Sequence, residues 1–337
     1  MQKWIDFFIT ICALSTEKGM VFTMLRITGL KKSYSSFSVL KGLNLNLVKG
    51  DVYGFLGTNG CGKTTTMNII CNIIPKDEGA IDFEGDNIRI GYLPESPALF
   101  GYMNGFEYLN FIGACCDYEG NIKERTAEVL QLTGMSGSAK RYIKGYSRGM
   151  IQRIGIAAAL YANPDLLILD EPTSALDPEG RAGVIDIISG LAASGSTIIL
   201  CTHILADVER VANKVGILRD GVMAVEGALL DVRKMFGVGN AVTVRSQDAA
   251  ATTSVLQELD IIERVEAEYY GDITAYAKDG VTEAELFYKT VTTLAGKQIV
   301  PEGVWFRRLS LEQIYLGINS GQLLPYSQQS GGGDRYE

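Results

Sequence analysis

One short stretch of the chain has the residue types and the spacing that phosphate binding requires. It reads Gly57-Thr58-Asn59-Gly60-Cys61-Gly62-Lys63-Thr64 and fits the pattern G-x-x-x-x-G-K-[ST]. The glycines let consecutive backbone N–H groups point at phosphate oxygens, because a Cβ atom would block that approach. Lys63 is expected to reach the β- and γ-phosphates, and the Thr64 hydroxyl to bind Mg²⁺. The stretch predicts a site for a nucleoside triphosphate.

The elements on either side of this stretch support the prediction. Residues 51–56 form a short apolar run typical of a strand, and residues 65–71 look like the start of a helix. A strand, a glycine-rich loop and a helix in this order are the context that the pattern needs. The helix N-terminus adds partial positive charge. The alternative is a glycine-rich turn that carries a lysine by chance.

Two further strands are predicted to end in residues that could act on a phosphate. Leu166–Leu169 is followed by Asp170 and Glu171, and Ile198–Thr202 is followed by His203, the only histidine of the chain. In an open parallel sheet the carboxyl ends of the strands line the ligand crevice. One acid can hold Mg²⁺ while the other takes a proton from water, and the histidine can contact the γ-phosphate. The alternatives are two solvated acids and a superficial histidine.

Two predicted loops carry aromatic residues. Tyr34 lies in the polar loop Lys32–Phe37, where its ring could stack on a purine or be an ordinary turn aromatic. The other loop, Glu95–Met103, carries leucine, phenylalanine, tyrosine and methionine side chains. Such side chains suit a contact with another protein, or they fold under as a local core.

Composition limits the class of protein. The 337 residues, 47% of them hydrophobic, suffice for one large domain and a smaller one. The net charge of −8 provides no basic surface, so no nucleic-acid partner is expected. Six cysteines without the spacing of a metal or disulfide framework favour reduced thiols in a cytoplasmic protein. No apolar run reaches the roughly 18 residues of a membrane span.

The sequence pattern divides the chain into four predicted parts. Residues 1–23 are interpreted as an extension dispensable for chemistry, and residues 321–337 as a flexible tail. Between them, residues 24–225 are predicted to form an α/β domain and residues 226–320 a small α+β domain. In the small domain the predicted order is strand, helix, strand, strand, helix, strand. That order is typical of the split βαβ, or ferredoxin-like, arrangement.

Together these motifs resemble the ATP-binding subunit of an ABC transporter over roughly residues 25–225. The positions that carry the resemblance are the adenine-stacking Tyr34, the Walker A loop Gly57–Thr65, the signature residues Ser147, Gly149 and Gln152, the Walker B pair Asp170 and Glu171, the D-loop Ser174–Asp177 and the switch His203. Within that family, the segments Tyr92–Glu95, Tyr146–Met150 and Ser310–Tyr315 look like those of bacterial exporters for antibiotics, other drugs and sodium.

The resemblance implies a fold and a chemistry. The implied fold class is α/β: a P-loop NTPase of the ABC type with a helical subdomain at about residues 95–160, to which the element order adds the small C-terminal α+β, ferredoxin-like domain. The ligands are ATP and Mg²⁺, with the metal held by Thr64, Asp170 and Glu95. The implied catalytic residues are Lys63, Glu95, Glu171 and His203. Those implied to bind ATP are Tyr34, Gly57, Thr58, Asn59, Gly60, Cys61, Gly62, Lys63, Thr64, Thr65, Ser147, Gly149 and Asp177.

The resemblance also implies partners. Family members form head-to-tail dimers with each ATP between one chain's Walker A loop and the other chain's signature loop, so a homodimer is expected. ATP would close the dimer and hydrolysis would open it. A separate multi-span membrane permease is expected to dock near Glu95–Met103. The chain would then lie on the inner face of the cell membrane.

Two positions depart from the usual pattern of the family, and a third raises a separate expectation. Glu95 stands where the family has glutamine, and a carboxylate can ligate Mg²⁺ but cannot donate as an amide does. Arg148 replaces a glycine of the signature, while Ser147 and Gly149 are kept. Cys61 lies next to backbone dipoles that favour a thiolate, so its alkylation is expected to inhibit the enzyme.

Two other functions are open to a chain with these motifs. A soluble ABC-type ATPase acting on the ribosome or on DNA would usually have a second cassette, a coiled coil or a zinc motif. The sequence has a single Walker A pattern, and the segment between Lys63 and Ser147 holds neither insertion. A non-catalytic regulatory cassette is disfavoured because Glu171 and His203 are present.

Overall fold

The computed structural model describes residues 23–320 except 86, 117, 237–240, 268–270, 279 and 308. The predicted N-terminal extension, apart from Thr23, and the predicted tail at 321–337 lie outside the described residues. The chain divides into two compact units between Gly227 and Ala228. The predicted boundary between residues 225 and 226 falls within a strand, Val222–Ala228.

The described residues of the first unit form two sheets. Their nine strands are β1 (Thr23–Tyr34), β2 (Phe37–Val48), β3 (Val52–Gly57), β4 (Glu78–Phe83), β5 (Ile90–Leu93), β6 (Leu166–Asp170), β7 (Thr197–Cys201), β8 (Lys214–Arg219) and β9 (Val222–Ala228). The larger sheet has the order β5-β6-β7-β3-β8-β9. Its first five strands pair in parallel. Every residue of β3, β6 and β7 is buried, which explains their nearly continuous apolar sequences. The strands predicted before the glycine-rich loop, before Asp170 and before His203 are therefore confirmed.

The smaller sheet is antiparallel, with the order β2-β1-β4. The predicted polar loop Lys32–Phe37 is wrong, because most of it belongs to the ladder. Tyr34 pairs with Phe37 across a two-residue turn, and Ser35 takes the positive φ of 53° that the turn needs. Polar and apolar residues alternate too irregularly around this turn to predict the full lengths of β1 and β2. Bulges interrupt the register at four places.

Six α-helices of the first unit are described: α1 (Lys63–Ile70), α2 (Gly105–Cys115), α3 (Ile122–Leu132), α4 (Arg148–Ala159), α5 (Pro178–Ala193) and α6 (Leu205–Val211). Their starts follow from local chemistry. Asn104 and Glu107 form a capping box at α2, and the Ser147 and Asp177 side chains accept backbone N–H groups at α4 and α5. Short 3₁₀ turns at Ser136–Ser138 and Ile143–Gly145 connect α3 to α4. Among the described residues, no helix combines the length and apolar character that crossing a bilayer requires.

The second unit has an antiparallel sheet with the strand order β11-β12-β10-β13. Its elements are α7 (Leu229–Met235), β10 (Ala241–Arg245), α8 (Ala249–Gln257), β11 (Ile262–Ala267), β12 (Asp272–Ala277), α9 (Glu283–Gly296), β13 (Gly303–Phe306) and α10 (Leu311–Ser320). From β10 to β13 the order along the chain is that of the split βαβ arrangement. Apolar residues of both helices and of alternate strand positions form its core, among them Val242, Val244, Leu256, Ile273 and Leu286. The sequence pattern predicts the second strand of this unit over residues 265–270, and residues 268–270 lie outside the described residues.

Candidate nucleotide site

A cavity of about 370 Å³ opens at the carboxyl ends of the parallel strands. Its lining combines residues from the glycine-rich loop, the start of α1 and the ends of three strands. The lining residues are Val39, Asn59, Gly60, Gly62, Lys63, Thr64, Thr65, Glu95, Glu171 and His203. The cavity thus brings together the phosphate loop, one acid of Walker B, the switch histidine and Glu95, which stands where the family has glutamine.

The glycine-rich loop takes a conformation that only its sequence permits. Gly62 caps α1 with a φ of +112°, and a Cβ atom there would lie 2.7 Å from the Leu40 side chain. Substitution at this position would therefore meet both backbone strain and a clash. Lys63 is 6% exposed, and its Nζ donates to the carbonyl oxygens of Gly57 and Thr58 at 2.8 and 3.3 Å. The ammonium is thereby held inside the loop, and Lys63 lines the cavity together with the exposed residues Asn59 and Gly60.

Asp170 is fully buried at the end of β6. Its Oδ2 accepts a hydrogen bond from Thr64 Oγ1 at 2.8 Å, while its buried Oδ1 has no hydrogen-bond partner among the described residues. Burial raises the pKa of this carboxyl, and the hydrogen bond from Thr64 opposes that rise. A buried carboxylate oxygen without a partner is costly unless a cation or donor satisfies it. A hydroxyl and a hard carboxylate oxygen are the ligands that Mg²⁺ prefers, so this pair fits that metal.

Glu171 follows in an unusual backbone conformation. Its φ of +49° lies in the left-handed region, which is uncommon for a residue other than glycine and is found at functional sites. The carboxylate is 6% exposed and lies 2.9 Å from Nδ1 of His203 and 4.0 Å from Nζ of Lys63. Thr202 Oγ1 donates to the same carboxylate at 3.3 Å. The acid is thus fixed between a cation and an imidazole at the mouth of the phosphate loop.

Glu95 also lines the cavity and is exposed. Its backbone carbonyl accepts from Nε2 of Gln152 at 3.3 Å, which joins the end of the β5 loop to helix α4. The Oε1 atom of Gln152 is buried without a hydrogen-bond partner in the described part of the chain. Glu95 also contributes to raising the pKa of Asp170, because the two negative charges repel. The loop and the signature helix are therefore physically linked.

Some predicted site residues lie outside the cavity lining. Tyr34 is 48% exposed at the hairpin tip, where Lys32 Nζ lies 5.6 Å from its ring centroid. Ser147 and Asp177 act within this chain as helix caps, accepting from Met150 N and Gly180 N. Gly149 lies in the first turn of α4.

The expectation for Cys61 is corrected by the structure. Its side chain is 8% exposed, and a Cβ atom built on Gly57 would lie 2.4 Å from its sulfur. The thiol therefore points under the loop instead of toward the phosphates. Burial raises the pKa of Cys61, and the nearby Lys63 charge lowers it by less. The buried position and the raised pKa of Cys61 both disfavour the thiolate on which the expectation depended.

Two contributors to the site were not predicted from the sequence. Val39 on β2 lines the cavity because the hairpin of the smaller sheet folds over the loop, and no motif marks it. Thr202 fixes Glu171, and the sequence signal that marks it is its position between strand β7 and His203.

Comparison with known proteins agrees with this geometry. Residues 40–174 match the ABC transporter family. The linearmycin resistance ATP-binding protein LnrL of Bacillus subtilis is 36% identical over 224 residues, which cover 64% of this chain and 72% of that protein. The lantibiotic transport ATP-binding protein SrtF of Streptococcus pyogenes is 37% identical over 209 residues, or 60% of this chain and 90% of that protein. The bacitracin transport ATP-binding protein BcrA of Bacillus licheniformis is 37% identical, over 60% of this chain and 69% of its own.

Solved structures give the same result. The ATP-binding subunit of an ABC transporter superposes with a TM-score of 0.56 at 28% identity, covering 64% of this chain and 94% of that one. A dimeric post-hydrolysis state of the ATP-binding cassette MJ0796 bound to ADP and Pi has a TM-score of 0.55 at 25% identity, with 61% of this chain and 99% of that one covered. The predicted P-loop fold and the ATPase prediction are confirmed. This chain belongs to the ATP-binding proteins of ABC transporters and is an ATPase of that family.

Proposed function

We propose that this chain is the ATP-hydrolysing subunit of a membrane exporter and that ATP-driven closure of a homodimer powers it. The observation that carries the proposal is the position of the Glu171 carboxylate at the mouth of the phosphate loop, 4.0 Å from Lys63 Nζ. A base and a phosphate-binding cation at this separation are arranged for hydrolysis of a bound triphosphate. Export is supported by the relatives, which are a linearmycin resistance protein, a lantibiotic transport protein and a bacitracin transport protein.

Each residue has a definite task in this proposal. Lys63 binds the β- and γ-phosphates, Glu171 orients and deprotonates the attacking water, and His203 holds Glu171 and contacts the γ-phosphate. Thr64, Asp170 and Glu95 would hold Mg²⁺. When bound, the metal neutralises charge that develops on the phosphates. Replacement of the usual glutamine by Glu95 adds a negative charge to the cavity, so ATP binding should depend strongly on the divalent cation.

The proposed dimer accounts for the predicted residues that do not line the cavity. Ser147 is exposed at the N-terminus of α4, where the backbone N–H groups of the first turn favour an anion. In a head-to-tail pair, Ser147 and Gly149 of one copy would bind the γ-phosphate held by the other. Asp177, at the start of α5, would then lie at the dimer interface. The dimeric cassette among the structural neighbours supports this arrangement.

The permease is proposed to dock on the loop Glu95–Met103. Tyr102 is 71% exposed and stacks on Phe100 at 5.6 Å between ring centroids. Ile143 N donates to Met103 O, which holds this loop against the turn that carries the exposed Tyr142. The segment from 129 to 164 contains no acidic residue, in contrast to the acidic chain as a whole. Exposed aromatic side chains beside basic ones suit a protein contact at the cytoplasmic face of a membrane.

The experiment uses affinity purification of Glu171→Gln with ATP from detergent-solubilised cells of the source organism. Mass spectrometry should find a multi-span membrane protein in stoichiometric amount, and omission of ATP should alter its recovery. This result would place the chain at the inner face of the membrane, bound to its permease. Recovery of ribosomal proteins or nucleic acid, with no membrane protein, would overturn the exporter proposal and leave the ATPase activity untouched.

A further inference from the structure

Asp207 is a buried carboxylate that the proposed hydrolysis does not use. It lies on α6, which begins two residues after His203, and it is 3% exposed. Its Oδ2 accepts a hydrogen bond from Thr173 Oγ1 at 2.6 Å, and its Oδ1 accepts one from Arg181 Nε at 2.8 Å. Both carboxylate oxygens are thus occupied by side chains from other segments.

The two donors come from functionally important segments. Thr173 is two residues beyond Glu171, in the loop that leads to the D-loop. Arg181 lies in the first turn of α5, and its backbone N–H donates to Asp177 O at 2.9 Å. One carboxylate therefore connects the Walker B loop, the helix after the D-loop and the helix after the switch histidine.

Two side-chain contacts join the loop that follows β6 to the segment that follows β7. Glu171 meets His203 at 2.9 Å, and Thr173 meets Asp207 at 2.6 Å. A residue with a φ of +49°, as at Glu171, keeps that conformation only where its surroundings fix it. Within the loop, both the backbone N–H and the hydroxyl of Ser174 donate to Glu171 O. The contact between Thr173 and Asp207 fixes the far side of the same loop.

We infer that Asp207 is a positioning residue for Glu171: through Thr173 it holds the catalytic loop in register with His203, and through Arg181 it ties the D-loop helix to the same point. The inference rests on the proposed role of Glu171 as the base. A displacement of the base by about 1 Å is enough to cost on the order of 10²-fold in rate.

The test uses matched variants at Thr173. Thr173→Val keeps the shape of the side chain and removes the hydroxyl, whereas Thr173→Ser keeps the hydroxyl. Steady-state ATPase rates, ATP affinity and thermal unfolding are measured for both and for Asp207→Asn. We expect Thr173→Val and Asp207→Asn each to lower kcat about 10-fold or more with KM within about twofold, as for a misplaced base. Thr173→Ser should retain most of the activity.

Two double variants decide whether the effect passes through Glu171. Thr173→Val with Asp207→Asn should be no slower than either single variant, because residues in one contact are not additive. In a Glu171→Gln background, Asp207→Asn should not reduce the residual rate further. Additive losses, a further loss in that background, or full activity of Thr173→Val would overturn the inference. A wild-type chain without ATPase activity would instead refute the proposed function.

Discussion

The Nδ1 atom of His203 lies 2.9 Å from the carboxylate of Glu171, and Thr202 donates to the same group. A carboxylate held by two neighbours cannot rotate away from the position in which it faces the phosphate loop. The imidazole is itself half exposed, so it is accessible to a ligand in the cavity. In the proposed mechanism, the pair would place the base Glu171 in a fixed position and His203 beside it, where the imidazole could contact the phosphate.

Replacement of this base should separate binding from turnover. Glu171→Gln keeps the size of the side chain but cannot accept a proton, so ATP affinity should stay within a few-fold. Turnover should fall by about 10²–10⁴-fold, the usual contribution of a positioned general base. Phosphate release and equilibrium binding of ATP measure the two effects. Glu179→Gln, on the exposed first turn of α5, is the control and should hydrolyse ATP normally. Normal turnover of Glu171→Gln would remove Glu171 as the base.

The charge of Lys63 should contribute mainly to turnover. Lys63→Ala removes a preorganised ammonium from the transferring phosphoryl group, and kcat should fall by about 10²-fold or more. Lys76→Ala, at an exposed position of the same unit, should have no effect. Single-turnover and steady-state rates check the prediction. A loss of only a few-fold would contradict the assignment of Lys63.

The sequence was sufficient for those parts of the site that local pattern specifies. The phosphate loop, the strand ending at Asp170 and the strand before His203 are each short, contiguous and strongly patterned, and all three occur as predicted. The spacing of the glycines within the loop follows from backbone geometry, because a side chain at each of these positions would be strained or would clash. Their convergence at one cavity followed from the rule for parallel sheets.

What the sequence did not reveal depends on contacts between distant segments. The direction of the Cys61 side chain is set by packing under Gly57 and could not be derived from its place in the loop. Likewise, Asp207 meets Thr173 across 34 positions, and no spacing rule relates them. The length of β1 escaped prediction because bulges shift the alternation on which a strand assignment depends.

The charged carboxylate of Asp170 should lower the stability of the nucleotide-free protein and strengthen its binding of Mg²⁺. Burial raises the pKa of its carboxyl, so its contribution to stability is present at low pH and lost as the pH rises through the raised pKa. At neutral pH, Asp170→Asn should therefore raise the thermal midpoint of the nucleotide-free protein. The same change should weaken Mg²⁺-dependent ATP binding by at least the roughly 10-fold that even indirect metal partners contribute.

The pH dependence gives a second check on Asp170. In the wild type, Mg²⁺-dependent affinity should fall as the pH drops through the raised pKa, because the protonated carboxyl cannot ligate a cation. Asp82→Asn, on an exposed position of β4, serves as the control and should change neither property. Thermal scans and ATP titrations with and without Mg²⁺ provide both readouts. A lowered midpoint in Asp170→Asn would contradict this account.

Cys61 should be a slow thiol. Burial raises its pKa and covers the sulfur, so iodoacetamide should modify it at least about tenfold more slowly than the exposed Cys115. The alkylation rate of Cys61 should rise with pH, and it should do so over a higher pH range than the rate of an ordinary thiol. Mass spectrometry of timed reactions, with Cys61→Ala as the reference, measures each rate. Rapid modification of Cys61 at neutral pH, prevented by ATP, would contradict this prediction and support the original expectation of a reactive thiolate.

Arg125 should be important for stability and not for chemistry. Its guanidinium is 6% exposed on α3 and donates to the backbone carbonyls of Leu160 and Tyr161, at the C-terminal end of α4. Arg125→Met would leave these carbonyls buried without their donor, and the free energy of unfolding should fall by about 2–3 kcal/mol. Lys123→Met, exposed two residues earlier, should change it by no more than about 0.5 kcal/mol.

Helix α4 also carries the signature residues. The Arg125→Met variant therefore tests whether a change that lowers the free energy of unfolding also lowers kcat. Denaturant titration gives the free energy, and ATPase assays well below the unfolding transition give kcat. Arg125 holds the end of α4 remote from Ser147, so kcat per folded molecule should stay within about twofold, as for a change that touches neither ligand nor base. A large loss of kcat at unchanged stability would instead show that the position of α4 depends on Arg125 during turnover.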